Sequence, residues 1–527
     1  MQLGGGSKQR WWLGGSLGMA AAVAAVLITF GVPQAAGGCG GASMPDEAGT
    51  GPSYTPQEGD EHWDAANDPA KFGQVLEYKL DALPMKGEAK TIPWTGSYWP
   101  VANDNINFRW DGNNDSPAAK YSKAFKVAGV EDAVSKSNGV DGQIASGAKA
   151  CTSNSQCSSD NGEICARRQG KTSGACIPTW FGICHGWTPA SILFPEPKHA
   201  VVKNGVTFKV MDLKALASFV MTETDTKFVS LRCDTTNRAN GMNFDKYKRP
   251  SDAACRDPGS PGTMHVLMSN FLGKLGRAFA EDRTMDAEVW NQPIRGYRIL
   301  EKREVSAQDA NKLIGVKADP GPSVQKTGTV TKGQWGHQDP VAVVGGTAWK
   351  ASISGSGDAD LYVQFDAQPT AAKYACRPFK NGSTESCSGT VPATATKMFV
   401  SVFGKGDTSG FTLKFSTGGA ISTTYQFERN PAPVKFAYIK AEMDYISESS
   451  PDADGYITPH INDFTSTDSY EYILELDKDG KITGGEWVGS SKEVHPDFFW
   501  LPLKASAASV SNIKYADVKA LMDASIK

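Results

Sequence analysis

Apolar and polar residues alternate with a period of two in several short runs of this chain, the pattern of strands that bury one face. Four such runs follow one another between 326 and 420: Trp349–Ile353, Ala359–Phe365, Lys397–Phe403 and Phe411–Phe415, separated by Gly, Ser and Thr turns. They predict a two-layer β-sandwich. Further on, Phe436–Ile446 and Tyr470–Leu476 predict two more strands, and an aromatic strand at Phe498–Trp500 is entered through the turn His495-Pro496-Asp497. The period lengthens to that of a helix in the run headed by His265, Val266–Gly273, and again in Tyr515–Ile526.

Between Leu476 and Ile482 the chain reads Asp477-Lys-Asp-Gly480. This has the opening of a calcium loop but neither its third oxygen ligand nor its closing glutamate, so a hairpin turn is expected.

The N-terminus breaks both patterns. Lys8 and Arg10 precede an uncharged, largely apolar run from about Trp12 to Val32, with no acidic residue before Asp46. Such a segment is a secretory signal. It ends in Ala35-Ala36-Gly37-Gly38-Cys39-Gly40, similar to a bacterial lipoprotein cleavage site, which makes Cys39 the candidate for lipid attachment to a membrane. Ordinary cleavage near the same run, or a retained anchor of about 20 residues, are the alternatives. Residues 1–39 are therefore expected to be a signal peptide of lipoprotein type, and 40–60, rich in Gly, Ser, Pro and acidic residues, a flexible tether. The expected location is secreted or in the cell envelope, at the outer membrane or periplasm if lipidated.

A chain of 527 residues exceeds what one core usually serves, so two or three domains are expected. With 40% apolar and 21% charged residues it is globular, and a formal net charge of −3 gives no basic footprint for nucleic acid. If Cys39 takes a lipid and Cys184 stays free, eight of the ten cysteines remain for four disulfides. Cys151, Cys157, Cys165 and Cys176 would make two local bridges, with Cys233–Cys255 and Cys376–Cys387 as the other neighbours. Zinc is the competing reading of the first cluster, but its spacings lack the short pairs that structural zinc favours.

Cys184 lies in Trp180-Phe-Gly-Ile-Cys-His-Gly-Trp187, just before Thr188 and Pro189, which could cap and open a helix. There a thiol feels the positive end of the helix dipole, and backbone N–H groups of the turn could hold an oxyanion. The plain alternative is half of a cystine.

Val289-Trp-Asn-Gln-Pro-Ile-Arg-Gly-Tyr-Arg-Ile-Leu-Glu301 closely resembles the elicitor segment of the secreted oomycete transglutaminases that plants recognise. Pro93–Pro100, Gly182–Trp187, Cys255–His265 and His495–Pro502 resemble further blocks of this transglutaminase elicitor family, in the family's order. The resemblance covers most of 60–320 and 421–503. Between its halves, Ser354–Val363, Cys376–Phe379 and Glu385–Cys387 resemble the pre-peptidase C-terminal domain of secreted bacterial hydrolases.

The resemblance implies an α+β fold: a papain-like cysteine transglutaminase core, residues 61–325 and 421–527, interrupted by an all-β sandwich domain, residues 326–420. It implies Cys184 as nucleophile and His265 as first candidate for the base, with His495 the competitor. Asp282, seventeen residues after His265, is the expected orienting group, with Asp286 and Asn291 as alternatives. Trp290 is expected to line an apolar tunnel for an extended substrate side chain and Pro293 to stiffen the strand near the site, or both to serve packing alone. His185, next to Cys184, is read as structural, and His62, His199, His337 and His460 as solvated. No metal ligand set is named, although calcium dependence would be compatible with the family.

The expected function is a protein-glutamine γ-glutamyltransferase that joins glutamine and lysine side chains through a cysteine thioester. A papain-like cysteine protease or deamidase would use the same residues, and a non-catalytic surface-binding protein is the alternative from another class.

Overall fold

The computed structural model of the protein describes residues 66–230, 232, 260–285, 288–318, 320–425 and 433–527. The signal, the tether, Cys39, His62, Cys233, Cys255 and Asp286 lie outside the described residues. No helix among the described residues is long and apolar enough to cross a membrane.

An eight-stranded antiparallel sheet organises the core. Its strands are β1 (Lys86–Glu88), β2 (Thr224–Val229), β3 (Ala280–Asp282), β4 (Asn291–Val305), β5 (Lys435–Ile446), β6 (Thr465–Leu476), β7 (Ile482–Trp487) and β8 (Phe499–Ala505). They lie in the order β7-β6-β5-β4-β3-β8-β2, with β1 on β4. β4, the elicitor-like segment, is the spine: its start pairs with β3 and the rest with β5. Pro293 has no N–H to give a ladder. It is accommodated opposite Ala280 on β3, where the pairing of β4 with β5 has stopped at Ile294.

Both faces of the sheet are covered, so consecutive residues on one strand serve different cores. Phe498 and Trp500 enter one cluster, with Trp94, Trp187, Ala280 and Cys184. Phe499 and Leu501 enter the other, with Met264, Leu267, Phe271, Phe279 and Tyr472. The first face carries α1 (Cys184–Leu193), α2 (Val210–Val220) and the expected C-terminal helix α4 (Tyr515–Ser525). The second carries α3 (Pro261–Met268), which runs on into a π-helical turn, Ser269–Leu275.

The expected sandwich is present as two four-stranded sheets, but its first strand begins at Pro320 rather than at the expected boundary of 326, because Pro320 pairs with Gly418 of the last strand. One contains Pro320–Thr331, Thr408–Gly418, Ala348–Ser356 and Glu385–Thr390, the other Trp335–His337, Lys397–Gly404, Val341–Ala342 and Ala359–Phe365. Trp349, Leu361, Val400, Val402, Leu413 and Phe415 fill the space between them. The first and last strands pair, Pro320 opposite Gly418, so the chain leaves and returns side by side. At the return, Asn311 donates to the carbonyls of Ser422 and Thr424.

Disulfides Cys151–Cys165, Cys157–Cys176 and Cys376–Cys387 form as local bridges. The sulfurs of Cys151, Cys157 and Cys176 lie within 4.8 Å of one another, but each is committed to a disulfide, leaving no thiolate for zinc. Asp477 makes the hairpin turn between β6 and β7: its Oδ1 accepts from the N–H groups of Asp479 (2.8 Å) and Lys481 (2.9 Å), and Gly480 has φ +78°.

Candidate active site

Cys184 is the cysteine outside the disulfides among the described residues, and it is buried at the first position of α1. The helix starts five residues earlier than the Thr188-Pro189 reading expected. Ile183 occupies the cap position, and Pro189 lies inside the helix. The reason is upstream anchoring: the Ile183 N–H donates to the Tyr98 carbonyl at 2.6 Å, and Ile183 O accepts from the N–H groups of Gly186 and Trp187. A helix already nucleated in this way does not need the later cap.

Two glycines make that start possible. A Cβ on Gly182 would lie 2.4 Å from Tyr98, and one on Gly186 would lie 2.3 Å from the Ser218 carbonyl of α2. The blocks Pro93–Pro100 and Gly182–Trp187, distant in sequence, thus meet at the root of the helix. Trp187 donates its indole N–H to the Trp94 carbonyl.

Around the sulfur, the Sγ of Cys184 lies 3.8 Å from the Val289 carbonyl and 3.5 Å from Nδ2 of Asn291. Thr188, one turn along α1, donates its hydroxyl to the Asn291 carbonyl at 2.8 Å. On the far side of the Asn291 amide, Trp500 Nε1 donates to Oδ1 at 2.8 Å. The start of the elicitor-like strand is therefore fastened to both the helix of Cys184 and strand β8.

Asp282 pairs with Asn291 across β3 and β4, and its Oδ1 accepts from the Trp290 N–H at 2.8 Å. Its backbone N–H donates to Phe498 O, and its carbonyl accepts from the Asp497 N–H. Expected to orient an imidazole, it holds through Oδ1 the backbone that delivers Asn291. Trp290 is half-buried, packs edge-to-face on Tyr98 at 6.1 Å and donates its indole N–H to Glu288.

His265, expected as the base, is placed elsewhere. It lies on α3 beneath the second face of the sheet, with Nδ1 2.8 Å from the Tyr472 hydroxyl. Burial, with a smaller contribution from Lys302, pushes its pKa down to about 3. Its helix neighbours Met264, Val266, Leu267 and Met268 all belong to the cluster on that face. His495 stacks on Trp487 of the same cluster at 5.0 Å, its Nδ1 2.9 Å from the Pro496 carbonyl. The structure brings together Cys184, Asn291, Trp500 and Thr188, with Asp282 behind Asn291, and puts His265 across the sheet. Spacing along the sequence carries no record of which face a side chain takes. His185 is buried without a hydrogen-bond partner on Nδ1, and burial lowers its pKa to about 4.

Trp500 was not singled out in the sequence. The only signal for it was the aromatic run Phe498-Phe-Trp500, which reads equally well as core.

Comparison with known proteins gives this site a context. Residues 64–326 and 416–527 match the family described as Transglutaminase elicitor. Residues 342–404 match the bacterial pre-peptidase C-terminal domain. The fold is similar to the crystal structure of the GP42 transglutaminase from Phytophthora sojae, with 32% identity and a TM-score of 0.56 over 86% of this chain and 95% of that one. Shorter similarities connect it to a virulence metalloprotease of Vibrio anguillarum, 38% identical over 118 residues, 20% of this chain and 19% of that protein. Xanthomonalisin of Xanthomonas sp. (strain T-22) is 49% identical over 57 residues, 11% of this chain and 7% of that protein. The chain thus spans less than a fifth of the length of these two curated relatives. The family match, by contrast, takes in the sheet, α1 and the elicitor-like strand, and the protein belongs to the transglutaminase elicitor family, with a pre-peptidase C-terminal domain inserted in it.

Proposed function

We propose that the protein is a secreted or envelope-held protein-glutamine γ-glutamyltransferase with Cys184 as its nucleophile, on a core of papain-like type. Family membership implies transglutaminase activity in general and glutamine and lysine side chains as substrates. The observation that carries the finer reading is the position of Cys184: an unbridged thiol at the N-terminus of a ten-residue helix, touching the elicitor-like strand. Helix N–H groups that lack intrahelical partners favour negative charge there, whether on the sulfur or on the oxygen of a tetrahedral intermediate.

In this reading the Cys184 thiolate attacks the carbonyl carbon of a glutamine γ-carboxamide. The carbon–nitrogen bond breaks and ammonia leaves, taking up a proton, so that an acyl thioester remains. A lysine amine then attacks that carbon, the carbon–sulfur bond breaks, and the proton lost by the amine returns to the sulfur. Water in place of the amine yields glutamate. The amino-terminal run and Cys39 support a location outside the cytoplasm.

The test is incorporation of a fluorescent primary amine into a glutamine-bearing protein by the secreted chain. Cys184→Ser should abolish it while leaving the fold intact, because a hydroxyl of high pKa does not replace a thiolate. Incorporation at the parent rate would remove Cys184 from the mechanism.

A further inference from the structure

A side-chain amide beside a sulfur can help or hinder ionisation, depending on which end faces it. The NH2 group donates and supports a thiolate. The oxygen only accepts, and opposes one. At Cys184 this choice matters, because the Val289 carbonyl, 3.8 Å from Sγ, is an acceptor and offers no donor to a thiolate.

The Asn291 amide is not free to choose. Its far end meets Trp500 Nε1 at 2.8 Å, and an indole nitrogen can only donate, so the amide oxygen must turn to Trp500. The NH2 group is thereby aimed at Sγ, 3.5 Å away. Asn291, Trp500 and Cys184 are all buried, so turning the amide round would leave the indole N–H facing an NH2 group in a dry site. The backbone is fixed as well, by the Thr188 hydroxyl on the Asn291 carbonyl and by the Asp282 pairing.

We propose that Asn291 is a catalytic residue that donates to the Cys184 thiolate, and that Trp500 is the positioning residue that sets the direction of its amide. The assignment rests on Cys184 being the nucleophile and adds the donor that faces its sulfur. Trp500 is hydrogen-bonded to Asn291, so its removal should act on ionisation and turnover rather than on substrate binding.

The experiment follows the rate of Cys184 alkylation by iodoacetamide against pH in the full secreted chain, site-identified by mass spectrometry, beside kcat and KM for amine incorporation. Trp500→Phe keeps a ring in the core but loses the N–H. It should move the alkylation midpoint upward and lower kcat by about tenfold, the rate equivalent of one hydrogen bond to a charged group, with KM unchanged. Asn291→Asp is nearly isosteric and keeps an acceptor for Trp500. It places a carboxylate at the sulfur and should raise the midpoint by about one unit or more, as a neighbouring like charge does. A purely structural role for the pair would lower the melting temperature and leave the midpoint in place. Unchanged midpoints in the folded variants would overturn the proposal. Because alkylation reads the thiol itself, that result is distinct from failure of the functional reading, which would show as amine incorporation surviving Cys184→Ser.

Discussion

Around Cys184 and around His265 the two faces of the central sheet use buried polar groups differently, although burial also lowers His185 on α1 to about 4. Beneath the face that carries α1, Cys184, Asn291, Trp500 and Thr188 are joined in one chain of contacts, with every donor aimed at an acceptor. Beneath the face that carries α3, burial drives titratable groups to their neutral forms. His265 is lowered to about 3, and Glu281, buried chiefly and next to Asp468, is raised well above the ordinary carboxylate value. Adjacent residues of one strand, Glu281 and Asp282, fall on either side of this divide. A sheet covered on both sides thus sorts a set of polar residues, close together in sequence, into a reactive group and a packed one.

The sharpest way to undo this contrast is to remove the sulfur. Cys184→Ser should take amine incorporation below detection with an unchanged circular dichroism spectrum. An equal loss on His265→Gln in a folded protein would show that the second face also takes part in the chemistry.

His265→Gln bears on the packed side, since glutamine retains a partner for Tyr472. Unfolding exposes an imidazole that takes up a proton below about 6.5, whereas the folded group stays neutral down to about 3. Acid therefore draws the parent towards the unfolded state, and its stability falls with pH in this window. Relative to His265→Gln, the parent should lose about 1.4 kcal/mol per unit between pH 6 and about 4. Denaturant melts across that range give the difference, and a constant gap would place His265 in water instead.

The smallest effect is expected at the sandwich. Its terminal strands pair at Pro320 and Gly418, so a short Gly/Ser linker can replace residues 320–418 without stretching the core. Turnover should stay within about threefold, since the distance spanned is that of neighbouring strands. An unfolded product would make the sandwich part of the folding core.

Much of this was open to reading in the chain. The period-two runs marked β5, β6 and four of the eight sandwich strands, because half-buried strands must alternate. The turn chemistry of Asp477–Gly480 marked the hairpin, and three local disulfides followed from neighbouring cysteines. Long β4 was legible as a resemblance, not as an alternation: its first half is buried almost continuously, since both faces are covered. The start of α1 was displaced because its cap comes from Tyr98, some eighty residues upstream, and no local signal records that hydrogen bond. The base was assigned to His265 for the same kind of reason. A histidine heading an apolar helix looks alike whether it points at a cysteine or at Tyr472, and only the strand between them decides.

The most direct measurement is therefore the pH dependence of Cys184 alkylation in the parent and in His265→Gln, both folded. With His265 held by Tyr472 across the sheet, the two midpoints should coincide. A midpoint raised by about one unit in the variant, the signature of a lost imidazolium partner, would contradict the separation of the two faces and return His265 to the active site.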